Sequence, residues 1–274
     1  MIIDLFDLQS RYVLITGAAG LLGEQHALAV AEANGIPILV DISEDRLNNL
    51  SVKIKKQFQV ESLLFVCDIT EEVELLKLKE NLIKNQINLY GLINNAARNP
   101  KVESDQFGKN RLEELNLDEF NKDFSVGVVG ALLCCKHFGP YIALNEDGGV
   151  IINISSDLGL IAPNQSLYSD KDTPDEDRSV KPISYSIIKS GLIGLTKYLA
   201  TYWCSKKVRV NALCPGGIQN NQPEEFLEKI SELIPLARMA RKEEYKSTII
   251  WMLSPSNSYL NGSIVSVDGG RTVW

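Results

Sequence analysis

The sequence predicts a doubly wound α/β fold, a parallel sheet with helices on both faces. Two observations carry this prediction. Seven short runs rich in β-branched and apolar residues alternate with longer stretches whose apolar residues recur every three or four positions. The short runs are also continuously apolar, as strands buried on both faces must be. In order, strands are expected at Tyr12–Thr16, Ile36–Asp41, Ser62–Cys67, Gly91–Asn94, Val150–Ile154, Val208–Cys214 and Ser263–Val267. Helices are expected at Leu21–Asn34, Ser43–Phe58, Glu71–Asn85, Leu117–Leu144, Ser184–Ser205 and Lys242–Leu253. Right-handed crossovers give such a sheet the Rossmann arrangement, whose ligands bind beyond the carboxyl ends of the strands. The alternation is unbroken, so one domain over residues 1–274 is expected. Two stretches interrupt the rhythm: the polar loop Ala96–Leu115 and the acidic, proline-punctuated Ser169–Pro182, which reads as an inserted surface loop.

Composition narrows the function classes. Hydrophobic residues make up 45% of the 274, enough for a large core. The net charge of −7, with basic residues scattered, argues against a nucleic-acid surface. No apolar stretch in the sequence is judged to reach the roughly 18–20 residues of a membrane span. The N-terminus carries acidic residues and runs straight into a strand, so no targeting segment is expected and the setting is read as cytoplasmic. Cys67, Cys134, Cys135, Cys204 and Cys214 are odd in number and lack zinc-ligand spacing, while His26 and His137 are far apart. Reduced thiols and no metal site are the expectation.

After the first strand comes Thr16-Gly17-Ala18-Ala19-Gly20-Leu21-Leu22-Gly23, opening a helix. Gly17 allows the tight turn, Gly20 lets backbone approach a pyrophosphate, and Gly23 lets the helix pack closely on the sheet. The helix N-terminus offers free N–H groups to phosphates. Asp41, ending the second strand, can accept hydrogen bonds from both adenosine ribose hydroxyls and repels a 2′-phosphate, which favours NAD over NADP. Arg46, one helical turn on, reads as an exposed helix-face arginine. Asp68 either bonds the adenine amino group or caps the helix starting near Glu71. Asn94-Asn95-Ala96-Ala97 supplies small residues and amides beside the cofactor.

Tyr185-Ser186-Ile187-Ile188-Lys189 places a tyrosine and a lysine on one face of a helix. A nearby ammonium favours the phenolate, so Tyr185 can exchange a proton with a substrate oxygen during hydride transfer. Ser156, at the end of Ile151-Ile152-Asn153-Ile154-Ser155-Ser156, can hold the same oxygen. Alone, such a pair usually marks nothing more than a half-exposed helix face.

The set TGAAGLLG, Asp68, NNAA, NISS, YSIIK, VNALCPGG and VDGG, in this order over roughly residues 10–270, resembles the short-chain dehydrogenase/reductase family. That resemblance implies a seven-stranded Rossmann domain, catalytic Ser156, Tyr185 and Lys189, and a homotetramer or homodimer. It places NAD against Gly17, Ala19, Gly20, Leu22, Asp41, Asp68, Ile69, Asn95, Ala96, Ala97, Tyr185, Lys189, Pro215, Gly216, Ile218 and Asn220. There are four departures. The middle glycine of the usual fingerprint falls on Leu21, with Gly20 one place earlier. The usual NNAG is NNAA. Gly127 stands where the family has an asparagine whose carbonyl anchors a relay water, and glycine can preserve the backbone kink there. Gln219-Asn220-Asn221-Gln222 replaces the threonine that follows the proline-glycine turn. The spacing from Ser156 to Tyr185 is 29 positions, against about a dozen in typical members, so Ser169–Pro182 bulges at the mouth of the site as either a lid or a surface decoration. Tyr168 lies 12 positions after Ser156, but Asp172 follows where a lysine is required.

The inserted loop, Gly127 and the C-terminal DGGRTVW look similar to a subgroup of flagellin-modification oxidoreductases in pathways to nonulosonic sugars. That likeness implies a small-molecule substrate, a sugar phosphate or nucleotide-linked sugar. Arg98, Lys101, Arg178, Lys181 and Arg238 lie on loops that could reach its anionic group, although each taken singly reads first as a solvated charge. The alternatives are a 3-oxoacyl-carrier-protein reductase, a general polyol or alcohol dehydrogenase, or a catalytically silent NAD-binding subunit or redox sensor. The acidic insertion argues against the first, and intact Ser156, Tyr185 and Lys189 argue against the last. Ser190, Gly191 and Gly194 offer close-packing positions on one helix, for a neighbouring subunit or equally for the sheet, and Arg271–Trp274 is a candidate to dock on a neighbouring subunit.

Overall fold

A computed structural model describes residues 2–98, 110–169 and 172–274. Its centre is a seven-stranded, all-parallel sheet in the order β3-β2-β1-β4-β5-β6-β7. The strands are β1 (Tyr12–Thr16), β2 (Ile36–Asp41), β3 (Leu63–Val66), β4 (Leu89–Asn94), β5 (Gly149–Ile154), β6 (Val208–Pro215) and β7 (Ile264–Val267). All seven expected strands form, with ends shifted by at most two residues. The helices are α1 (Leu21–Glu32), α2 (Glu44–Phe58), α3 (Glu72–Lys84), α4 (Leu117–Phe124), α5 (Ala131–Ile142), α6 (Ile183–Tyr202), α7 (Glu224–Glu232) and α8 (Lys246–Leu253).

Successive strand residues feed two cores on opposite faces. Val13, Ile15 and Leu39 join α1, α2 and α8 through Leu28, Leu47 and Met252. Leu14, Ile38 and Val40 join α3, α5 and α6 through Leu78, Phe138 and Leu199. Strand order reverses between β1 and β4, which opens a crevice at their carboxyl ends.

Three features depart from the sequence reading. The stretch Leu117–Leu144 is one continuous helix over Leu117–Ile142, widened into a π-helical segment at Ser125–Gly130. Its length and hydropathy suffice for a membrane span, contrary to the expectation that no segment would reach that size. Half of its most apolar window is buried, with Cys134, Cys135 and Phe138 in the core, and that packing accounts for the apolar character. Second, α7 was not anticipated. Phe226, Leu227, Ile230 and Ile234 have helical spacing and form a small satellite cluster with Leu167 and Met239. Third, Arg271 does not face outward toward a neighbour: it is buried in this chain and paired with Asp157. Val273 and Trp274 remain exposed.

Candidate active site

A cleft of about 720 Å³ runs along the carboxyl ends of the strands, from Asp41 and Asp68 to Tyr185 and Arg271. Of the residues assigned from sequence, it is lined by Gly17, Gly20, Leu22, Asp41, Asp68, Ile69, Asn95, Ala96, Ala97, Ser156, Tyr185, Lys189, Pro215, Gly216, Ile218 and Asn220. Ala19 is not on the wall. It stands behind it, its N–H donating to Asp41 Oδ2 at 3.0 Å.

The first end is shaped by backbone. Gly17 has φ +60°, and a Cβ there would lie 2.7 Å from Ala96 Cα. A Cβ on Gly23 would lie 2.0 Å from Gly17 O, so the helix seats directly on the turn. Gly20 caps α1 without any side-chain bond, and Glu24 N–H is the first to close onto the helix. The N–H groups of Leu21 and Leu22 therefore face the cleft with the positive end of the helix, a geometry that fits a pyrophosphate.

Asn95 does not offer its amide to the cleft as expected. Its Nδ2 donates to Thr16 O and Gly17 O, both at 3.0 Å, and so ties the turn to the end of β4. Asp68 does not cap α3. Its Oδ1 accepts from Thr70 N at 2.9 Å and Thr70 Oγ1 at 2.7 Å, two residues before the helix. Arg46 is exposed but not idle, because its guanidinium donates to Ala19 O beside Asp41. At the middle of the cleft, Ile218 O accepts from Gln222 Nε2 at 2.8 Å, and Asn220 N–H donates to Gln222 Oε1 at 2.6 Å. Gln222 thereby holds the loop that replaces the family threonine.

The second end is built from ionisable side chains. Tyr185 and Lys189 lie one turn apart on α6, and Ser156 follows β5. The Tyr185 and Ser156 side chains line the same end of the cleft, and Ser156 Oγ donates to Asp157 Oδ1 at 2.7 Å. Asp157 Oδ2 in turn accepts from Arg271 at 2.8 Å, with both members of this pair buried. Because Ser156 spends its one proton on Asp157, its oxygen is left as an acceptor toward a phenol or a substrate hydroxyl. Lys189 Nζ donates to Ile154 O at 2.8 Å and lies 5.7 Å from the centre of the Tyr185 ring.

The expected lowering of the tyrosine by lysine is not what dominates. Burial pushes the Tyr185 phenol above its ordinary value, and the Asp157 carboxylate adds to the rise. Burial likewise lowers Lys189 to about 8. Tyr185 is thus a proton-bearing phenol at neutrality.

Gly127 sits in the π-helical segment, where a Cβ would lie 2.5 Å from Ile188 Cγ2. The absence of a side chain lets this helix approach α6 directly beneath Tyr185 and Lys189. The five loop cations separate clearly. Arg98 pairs with Glu119 and Asp123, and Arg238 pairs with Glu244. Arg178 Nε donates to Thr173 O at 2.9 Å. Lys101 lies outside the described residues, as does most of the Ala96–Leu115 loop. Of the four that are described, Lys181 alone lines the cleft. The sequence reading missed Asp157 and Arg271; the only available signal was a charged residue in each of two turns that follow strands.

Comparison with known proteins agrees with this geometry. The family described as short chain dehydrogenase matches residues 11–170, and that described as enoyl-(acyl carrier protein) reductase matches residues 178–272. An uncharacterized oxidoreductase of Thermotoga maritima is 30% identical, covering 96% of this chain and 98% of its own. The post-translational flagellin modification protein A of Campylobacter coli is 27% identical over 96% and 98%. A 3-oxoacyl-[acyl-carrier-protein] reductase of Thermotoga maritima is 27% identical over 97% and 99%. Among solved structures, a gluconate 5-dehydrogenase from Burkholderia cenocepacia in complex with NADP and tartrate superposes with a TM-score of 0.86 at 20% identity, covering all of both chains.

Proposed function

We propose that this chain, which belongs to the short-chain dehydrogenase/reductase family and is an oxidoreductase, uses NAD(H) to interconvert a hydroxyl and a carbonyl on a sugar-like substrate. The observation that carries the chemistry is the convergence of Ser156, Tyr185 and Lys189 at one end of a cleft whose other end is a glycine turn and a free helix N-terminus. The nicotinamide, when bound, supplies or accepts the hydride. Tyr185 gives the proton to a carbonyl oxygen in one direction and recovers it from the hydroxyl in the other. Ser156, held as an acceptor by Asp157, orients the hydroxyl form. Lys189, anchored on Ile154 O, keeps a positive charge beneath the phenol as the proton leaves.

The Asp41 carboxylate on the cleft supports NAD, since a 2′-phosphate beside it meets like charge. A fluorescence titration tests this. Micromolar NADH binding with much weaker NADPH binding is expected; tight NADPH binding overturns the cofactor assignment. The likeness to a flagellin modification protein supports a sugar phosphate or nucleotide-linked sugar as substrate. The acyl-carrier-protein reductase relative supports a 3-oxoacyl substrate as the second reading. Substrate screening with NAD separates the two.

We also propose a homo-oligomer. Ile187, Tyr198 and Tyr202 on α6 and Leu132 on α5 are exposed, and a Cβ on Gly194 would meet open space. A monomeric mass in solution overturns that proposal.

A further inference from the structure

The insertion between Ser156 and Tyr185 is closed at its neck. Ser169 Oγ donates to Ser179 O at 3.1 Å, and Lys181 N–H donates to Gln165 Oε1 at 2.9 Å. These bonds bring the residues flanking the insertion, Tyr168 before it and Lys181 near its end, to the wall of the active-site cleft. The neck of the insertion, rather than its tip, is therefore what the site meets.

Both residues bring polar ends that have no hydrogen-bond or ion-pair partner among the described residues, although the Lys181 ammonium lies over the Tyr185 ring. Lys181 Nζ lies 4.1 Å from the centre of the Tyr185 ring, and it has no hydrogen bond or ion pair among the described residues. The carboxylate that acts on it electrostatically, Asp157, is already paired with Arg271 at 2.8 Å. The Tyr168 ring packs on Phe226 at 6.0 Å between centroids, and its hydroxyl likewise has no partner among the described residues. Lys189 adds a second cation on the same side. This end of the cleft thus carries an excess of positive charge beside the reacting oxygen, and burial already disfavours the Lys181 ammonium. A part-buried cation with no counter-ion of its own is poised for one that arrives with a ligand.

We propose that Lys181, assisted by the Tyr168 hydroxyl, is a specificity subsite for an anionic group, carboxylate or phosphate, carried by the substrate near the carbon that Tyr185 serves. This rests on the oxidoreductase reading of the same cleft and deepens it. The acidic insertion excludes a large acidic partner at the mouth, while its neck selects a small anion inside.

The test titrates the protein–NADH complex with three probes: gluconate for carboxylate, sorbitol 6-phosphate for phosphate, and neutral sorbitol. At least one anion is expected to bind about ten-fold or more tightly than sorbitol, the margin of one charge-assisted hydrogen bond. Whichever anion holds the margin identifies its source. Lys181→Met should erase the margin, Lys181→Arg should keep most of it, and Tyr168→Phe should reduce it by a smaller factor. NADH binding by each variant reports an intact fold. No margin in the unaltered protein, including no binding of either anion, overturns the subsite. So does a margin that survives Lys181→Met. Neither result touches the oxidoreductase reading, which fails separately if the unaltered protein does not bind NADH.

Discussion

At one end of the cleft the wall is backbone: the Gly17 turn, the free N–H groups of α1, and carbonyls tied down by Asn95. At the other end it is a chain of ionisable side chains, Tyr185, Ser156, Asp157 and Arg271, with Lys181 and Lys189 beside it. The first end owes its shape to where a Cβ cannot be; the second owes it to which charges find partners and which do not. Backbone geometry tolerates many side chains and serves a ligand of fixed chemistry. A charge network can be retuned one residue at a time, which suits the end that meets a variable substrate.

The largest effect is expected where the two ends meet. Tyr185→Phe removes the hydroxyl assigned to exchange the proton, and turnover should fall about 10²–10⁴-fold. NADH titration should still report binding, since the backbone end is untouched. Full turnover by this variant would remove Tyr185 from the chemistry and leave the two ends unconnected.

Next in size is the buried pair. Asp157→Asn leaves the Arg271 guanidinium buried without a counter-charge, and Arg271→Met does the same to the carboxylate. Each should cost about 3–5 kcal/mol of stability. The double variant should recover part of that loss, because uncharged side chains at both positions leave no unpaired buried charge. Thermal unfolding of the four proteins measures the coupling. Additive losses would mean that the pair is not what holds this end together.

This asymmetry also explains what was legible in the sequence. The strands and most helices were readable because continuous apolar runs have one good solution, a sheet covered on both faces. The glycine turn was readable because Gly17, Gly20 and Gly23 act through their own backbone and the next helix, all within one local motif. Asp157 and Arg271 are 114 positions apart, and nothing in either turn announces the other. Lys181 was visible as a loop cation, yet only the closed neck of the insertion distinguishes it from Arg98 and Arg238, which find carboxylates nearby. Asn95 lines the cleft, and that its side-chain amide serves the turn is visible only in three dimensions.

A smaller effect is expected at the backbone end. Gly17→Ala must hold a side chain at φ +60° and place its Cβ 2.7 Å from Ala96 Cα, a backbone atom that cannot swing away. The left-handed conformation costs about 1–2 kcal/mol and the forced contact about 1–3 kcal/mol. NADH affinity should fall with stability here, whereas Asp157→Asn should lower stability with NADH affinity largely kept. If both variants moved both quantities alike, the division into two ends would be wrong.

The smallest effect lies outside the cleft and isolates the scaffold. His26 on α1 is fully buried, and neither ring nitrogen has a hydrogen-bond partner among the described residues. Burial lowers it from 6.5 to about 3. The unfolded chain takes up this proton below about pH 6.5, and the folded chain only below about pH 3. Between those values the unfolded state binds more protons, so stability is fully present above pH 6.5 and drains away as the pH falls toward 3. His26→Leu removes this drain and the two unpaired nitrogens together. Its stability should fall less steeply than that of the unaltered protein over the acid range. At neutral pH the gain should be about 1 kcal/mol, since removing an unsatisfied buried polar group is neutral to stabilising. Denaturant midpoints measured at pH 7 and pH 5 check both expectations, and identical slopes for the two proteins would mean that His26 does not titrate across folding. Because α1 presents its N-terminus to the cofactor cleft, NADH affinity at pH 7 should not change. A change would show that core packing around α1, and not only its glycine turn, sets the cofactor end.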